Sequence, residues 1–208
     1  ATKTDLNTAL DLFTKSCKAN DDQGCLHLGM LYQDKNFSEY NENLAAEAFS
    51  RACTLGNGFA CSSLGLYYHN QKNYEKARSL FDISCKRECA EGCNNLATLI
   101  KDEAKSENDL KVAFNLYEKA CNLHDNLACV NLGIMHVYGD GTKKDVKQGL
   151  FHISNACSNN NALACNLEAF FYKDGLSVKK DKNKALELFK KSCNLEFTQG
   201  CKNYDNLK

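Results

Sequence analysis

Twelve of the thirteen cysteines fall into six pairs, each pair eight residues apart: Cys17 with Cys25, Cys53 with Cys61, Cys85 with Cys93, Cys121 with Cys129, Cys157 with Cys165, and Cys193 with Cys201. The first members of successive pairs are 36, 32, 36, 36 and 36 residues apart. A fixed period of this length marks a solenoid, whose units each contact only their neighbours. No pair has C-x-x-C spacing, and the five histidines do not recur with the cysteines, so disulfides are expected rather than metal. Disulfides in turn imply an oxidising compartment.

The residues around each pair repeat with the same ruler. Eight before the first cysteine stand Ala9, Ala45, Ala77, Ala113, Gly149 and Ala185; four before it stand Phe13, Phe49, Phe81, Tyr117, Ile153 and Phe189. Positions four apart share one helix face, which predicts a helix with its apolar face inward. After the second cysteine come Leu28-Gly29, Leu64-Gly65, Leu96-Ala97 and Leu132-Gly133, with Tyr32, Tyr68 and Tyr172 at the next turn. That pattern predicts a second helix whose small residue lets a neighbour approach. Each unit therefore reads as helix, short loop, helix, with a cysteine at each helix end facing the loop. A bridge within each pair joins adjacent helix ends and contributes about 2–3 kcal/mol in the chain-entropy account. The expected fold is all-α: a single solenoid domain over 1–208 with repeats at approximately 5–42, 43–72, 73–108, 109–144, 145–180 and 181–208.

Lys+Arg and Asp+Glu both number 26, and this balance argues against a nucleic-acid partner. No stretch has the apolar length of a membrane span, so no membrane insertion is expected. The N-terminal Ala1-Thr2-Lys3-Thr4-Asp5 is polar, which fits a mature form whose signal peptide has been removed.

The A-x-x-[LA]-[FY]-x-x-[SA]-C and L-G-x-x-Y segments resemble Sel-one-like repeats, 36-residue relatives of the tetratricopeptide repeat. Tyr138-Gly139-Asp140-Gly141-Thr142-Lys143-Lys144-Asp145 resembles the glycine loop of that family, and Tyr172-Lys173-Asp174-Gly175 is a looser copy. The paired cysteines narrow the resemblance to the secreted helicobacter cysteine-rich proteins. It implies a right-handed α-solenoid, export to the periplasm or beyond, and the penicillin binding or weak β-lactamase activity attributed to some members. Three departures stand out. The loop around Asn70–Asn73 is short, Cys89 has no partner in the pattern, and repeat five carries Gly149, His152 and Glu168 where alanine, leucine and leucine recur.

Five features are candidates for chemistry. Ser177-Val178-Lys179-Lys180 matches the S-x-x-K of serine β-lactamases, but the S-D-N and K-T-G companions are missing, and chance accounts for the match. His152 and Glu168 read either as an acid–base pair or as polar substitutions satisfied by hydrogen bonds; the second is favoured. Cys89 reads as an unpaired thiol, with an inert buried cysteine or a rival to Cys85 and Cys93 as alternatives. By the tetratricopeptide resemblance, the helix after each second cysteine lines a concave groove. Its candidate residues are Ser62, Leu66, His69, Asn94, Lys101, Asn131, Ile134, Asn166, Phe170 and Lys173, amides interleaved with apolar groups that suit an extended ligand. Asn36, in Asp34-Lys35-Asn36-Phe37-Ser38, is the only N-x-[ST] site, and the acid two residues before it resembles the extended acceptor sequence of bacterial periplasmic N-glycosylation. The expected function is a monomeric scaffold that uses no cofactor and binds a peptide, a protein or a peptidoglycan fragment. The alternative is a weak β-lactamase.

Overall fold

The computed structural model describes residues 3–208. These contain twelve α-helices: α1 (Lys3–Lys18), α2 (Asp22–Gln33), α3 (Glu42–Thr54), α4 (Gly58–Asn70), α5 (Tyr74–Lys86), α6 (Ala90–Asp102), α7 (Glu107–Asn122), α8 (Asn126–Tyr138), α9 (Val146–Ser158), α10 (Ala162–Asp174), α11 (Lys182–Asn194) and α12 (Thr198–Leu207). They pair in order as six hairpins, and no strand occurs among the described residues. The expected all-α solenoid of stapled hairpins is what the chain forms. Its helices gather into two compact units, Ala1–Leu96 and Ala97–Lys208, with the boundary inside α6.

Every hairpin closes through the same device. The third residue after the first cysteine has left-handed backbone: Asn20, Gly56, Glu88, His124, Asn160 and Glu196, with φ between 58° and 110°. The next residue's N–H returns to the carbonyl just before that cysteine, as in Asn57 to Ala52 and Asp125 to Ala120, both 3.0 Å. This six-to-one bond is the Schellman closure of a helix C-terminus. The donor residue then opens the second helix. Asp21, Asn57, Asp125 and Asn161 each cap it with a side-chain oxygen. One residue thus closes one helix and caps the next.

The cysteines are left side by side, and all six bridges form within the pairs expected from the spacing. Cys17 bonds to Cys25, Cys53 to Cys61, Cys85 to Cys93, Cys121 to Cys129, Cys157 to Cys165 and Cys193 to Cys201. Their Cα–Cα distances run from 4.4 to 4.7 Å. The second cysteines Cys25, Cys61, Cys93 and Cys165 are fully buried, whereas Cys129 and the terminal Cys201 are half-buried. The staples therefore belong to the core as well as to the turns.

Stacking uses the small-and-aromatic ruler. In the five hairpins after the first, Ala45, Ala77, Ala113, Gly149 and Ala185 are buried, as are Phe49, Phe81, Tyr117, Ile153 and Phe189. A Cβ at Gly29 or Gly65 would come within 2.5 Å of the ring of Phe49 or Phe81. Glycine is required there because the next hairpin's aromatic occupies the space. Basic side chains also tie the second, third and sixth hairpins to the one before. Arg51 donates to Lys18 O at 3.3 Å, Arg87 to Cys53 O at 2.7 Å and Lys191 to Cys157 O at 2.8 Å. Each cation satisfies carbonyls left open at a helix C-terminus.

Candidate functional site

In the second unit, α10, α11 and α12 enclose a pocket of about 110 Å³ lined by Phe170, Lys173, Phe189, Asn203, Asn206 and Leu207. The residues arrive there for local reasons. Phe170 and Lys173 lie one turn apart on α10, and Asn203 and Asn206 lie one turn apart on α12, so each pair points the same way. Phe170 meets Phe189 edge to face at 5.2 Å, and these rings form an apolar floor. Lys173 Nζ stands 5.1 Å from the Phe170 ring centre, where the ring's negative face favours a cation. Asn203 Nδ2 donates to Asn166 Oδ1 at 2.7 Å, which fixes the orientation of both amides. An ammonium, two amides and an apolar floor can hold an apolar side chain together with a carboxylate or peptide group.

Of the groove residues expected from sequence, Phe170 and Lys173 come together here. The others are placed differently. Ser62, Asn94 and Asn166 are buried in the stack, at 0%, 5% and 5% exposure. Ser62 bonds Glu91 at 3.2 Å and accepts from Asn95 at 3.1 Å. Ser62 and Asn166 thus hold neighbouring second helices together, a role that a one-dimensional reading of groove positions does not separate from ligand contact. Leu66 and His69 are exposed, with His69 edge-on to Tyr74 at 5.3 Å. Lys101, Asn131 and Ile134 are half-buried. The groove reading stops at repeat five and so leaves out Asn203, Asn206 and Leu207. The available signal is Asn203 itself, which stands two residues after its cysteine as Asn95 and Asn131 do.

The first unit holds a wider, open groove of about 410 Å³ between α4 and α5, which includes Leu64, Tyr68, Lys76 and Leu80. Lys76 Nζ lies 4.8 Å over the Tyr68 ring. None of the residues singled out from sequence as groove candidates lines it.

His152 and Glu168 do not act as a pair. Glu168 is buried and accepts from Ser154 at 2.8 Å, the hydrogen-bonded substitution favoured above. His152 stacks on His136 instead, with ring centres 5.5 Å apart and planes 6° from parallel. Phe114 closes on His136 edge-first at 5.1 Å, and the buried His136 Nδ1 has no hydrogen-bond partner. Burial, and then the neighbouring His136, hold the His152 pKa below its ordinary value, against an opposing pull from Glu118. Ser177 lies in the exposed loop between α10 and α11 on left-handed backbone. Cys89 is a free, half-buried thiol at the position immediately before α6, where four other hairpins carry the capping Asp or Asn.

These features define a class: a scaffold of stapled helical hairpins whose second helices carry pocket residues. The Sel1 repeat profile matches residues 1–21, 23–57, 90–125, 126–161 and 162–197, and a tetratricopeptide repeat profile matches 62–86. The chain belongs to the Sel1 repeat family. In the family's phasing a unit begins at the second helix of a hairpin, so Cys17–Cys25, Cys121–Cys129 and Cys157–Cys165 each join the end of one unit to the start of the next. No curated protein matches the chain. Among solved structures, it is similar to a Sel1 repeat protein from Oxalobacter formigenes, at 18% identity over 88% of this chain and 76% of that one, TM-score 0.79. It is also similar to a Sel1 repeat protein from Klebsiella pneumoniae, at 20% identity over 94% and 97%, TM-score 0.60. Helicobacter pylori cysteine rich protein B is 28% identical over 80% of this chain and 97% of its own, with a TM-score of 0.31, too loose a superposition to bear on the fold. Sel1 and tetratricopeptide repeats are scaffolds for protein–protein interaction. Among the described residues no helix is long and apolar enough to cross a membrane.

Proposed function

We propose that the chain is an exported interaction scaffold that seats one side chain of an extended peptide segment in the pocket between α10 and α12. The observation that carries this reading is the pocket's composition. Phe170, Phe189 and Leu207 supply an apolar floor, while Asn206, Asn203 and Lys173 supply polar groups at its edge. Its volume of about 110 Å³ suits a single side chain rather than a folded surface. Amides can donate to and accept from a peptide backbone at once, and the ammonium favours a carboxylate on the same segment. Neutral overall charge leaves these short-range contacts, rather than long-range steering, to set affinity. The export reading rests on the six disulfides, which persist in an oxidising compartment.

The test is capture by the purified, oxidised protein of members of an extended-peptide library and of peptidoglycan fragments. Phe170→Ala and Asn206→Ala should each weaken a captured peptide roughly five- to a hundredfold, the range of about 1–3 kcal/mol for a contact buried on binding. Phe151→Ala, at an exposed position on α9, is the control and should leave binding unchanged. Capture of glycan fragments alone, or binding indifferent to both pocket substitutions, would refute the assignment.

A further inference from the structure

The loop between α2 and α3 carries a group that neither the fold nor the pocket uses. It crosses in two consecutive turns: Phe37 N–H donates to Asp34 O at 2.9 Å, and Tyr40 N–H to Phe37 O at 3.0 Å. Phe37 anchors the loop at 3% exposure, while every other residue from 34 to 40 is exposed. A buried aromatic at the centre turns its two neighbours, Asn36 and Ser38, outward. Those three residues form the one Asn-x-Ser/Thr triplet in the sequence.

Several asparagines elsewhere in this protein have structural tasks. Asn41, Asn57, Asn73 and Asn161 cap helices, and Asn203 holds Asn166. Asn36 does neither. Its backbone N–H and one hydrogen of its Nδ2 both go to Asp34 Oδ1, at 2.9 and 3.1 Å. The carboxylate two residues earlier therefore poses the amide at the turn. The second Nδ2 hydrogen remains, since an asparagine amide carries two. An exposed amide in a surface loop and a hydroxyl two residues on are what an N-glycosylation acceptor requires of a folded chain.

We propose that Asn36 is an N-glycosylation acceptor on the folded, oxidised protein. The donor class is an oligosaccharide linked through pyrophosphate to a polyprenol. Asn36 Nδ2 forms a bond to the anomeric carbon of the first sugar as the bond from that carbon to the pyrophosphate oxygen breaks. The polyprenyl pyrophosphate leaves with the electron pair, and the amide proton passes to a base of the transferase. No oxidation or reduction is involved. The proposal stands on the loop alone and is independent of what the α10–α12 pocket binds.

The experiment uses purified, disulfide-intact protein, a bacterial oligosaccharyltransferase that takes an acidic residue two before the asparagine, and its polyprenyl-pyrophosphate oligosaccharide. Intact mass should rise by a single glycan, and peptide mapping should place it on Asn36. Asn36→Gln should abolish the increment, and Ser38→Ala should lower it at least tenfold with the far-UV spectrum unchanged. A short peptide carrying residues 34–38 serves as a positive control for the transferase. Modification of that peptide with none of the folded protein would overturn the proposal, as would a glycan mapped to any other residue.

Discussion

Reduction of the six disulfides should unfold most of this protein at temperatures where the oxidised form is fully helical. Each bridge spans a sequence separation of eight. Closing so short a loop contributes about 2.5 kcal/mol in the chain-entropy account, so six contribute about 15 kcal/mol together. A whole domain's net stability is about 5–15 kcal/mol. The sum is a ceiling, because the left-handed residue and its six-to-one bond keep part of each turn formed in the reduced chain. Even half of it would bring the reduced protein near its unfolding midpoint. In the family's phasing Cys17–Cys25, Cys121–Cys129 and Cys157–Cys165 also span two units, so their loss weakens coupling between neighbours as well as the hairpins themselves. The assay is far-UV circular dichroism melting of oxidised protein against protein reduced and alkylated at all cysteines. The expected difference is tens of degrees, at about 2–4 °C per kcal/mol for a chain of this size. Replacing only Cys121 and Cys129 by alanine isolates one staple, because both are half-buried and little packing is lost with them. That variant should melt about 5–10 °C below the parent. Coincident melting of reduced and oxidised protein would show that packing alone holds the stack and would remove the physical case for export.

Two further perturbations probe how the hairpins pack. At Gly92 a methyl group would overlap the Ser84 side chain, whose hydroxyl donates to Gly58 O at 2.7 Å. Gly92→Ala should therefore cost about 1–3 kcal/mol in denaturant unfolding. Adding Ser84→Ala, which recreates the pairing of Ala52 with Ala60 found in the second hairpin, should recover part of that loss; purely additive losses would contradict the steric reading. The His136–His152 stack makes a pH prediction. His152 has a folded pKa below its ordinary 6.5, so the unfolded chain binds more protons just below that pH. Stability should then be complete well above pH 6.5 and fall as the solution is acidified below it, until the folded imidazole also protonates. Asp21 and Asp145, both with lowered pKa values, lose their contributions only at lower pH, in the carboxylate range. His152→Leu, restoring the residue type of the other repeats, should flatten the melting temperature between about pH 7 and pH 5.5. An unchanged slope in that variant would place the titrating group elsewhere.

Most of the architecture is local and therefore visible in one dimension. Helix faces repeat every three to four residues, hairpin bridges close over eight, and both leave a pattern in the chain itself. The six pairings, from Cys17 with Cys25 to Cys193 with Cys201, follow from that pattern, as does the inward face of small and aromatic residues on each first helix. The left-handed turn residues do not show in it, because Asn20, Gly56, Glu88, His124, Asn160 and Glu196 are of four different types. Contacts between hairpins join residues sixteen to thirty-seven positions apart, as in His136 with His152 and Asn166 with Asn203, and their outcome depends on the offset at which one hairpin stacks on the next. That offset buries Ser62, Asn94 and Asn166 instead of presenting them, turns His152 onto His136, and brings α12 over α10 to complete a pocket around Phe170 and Lys173. A repeat period names which positions face a neighbour. Whether such a position ends in a buried hydrogen bond or an open pocket depends on how closely the neighbour sits, which only tertiary packing decides.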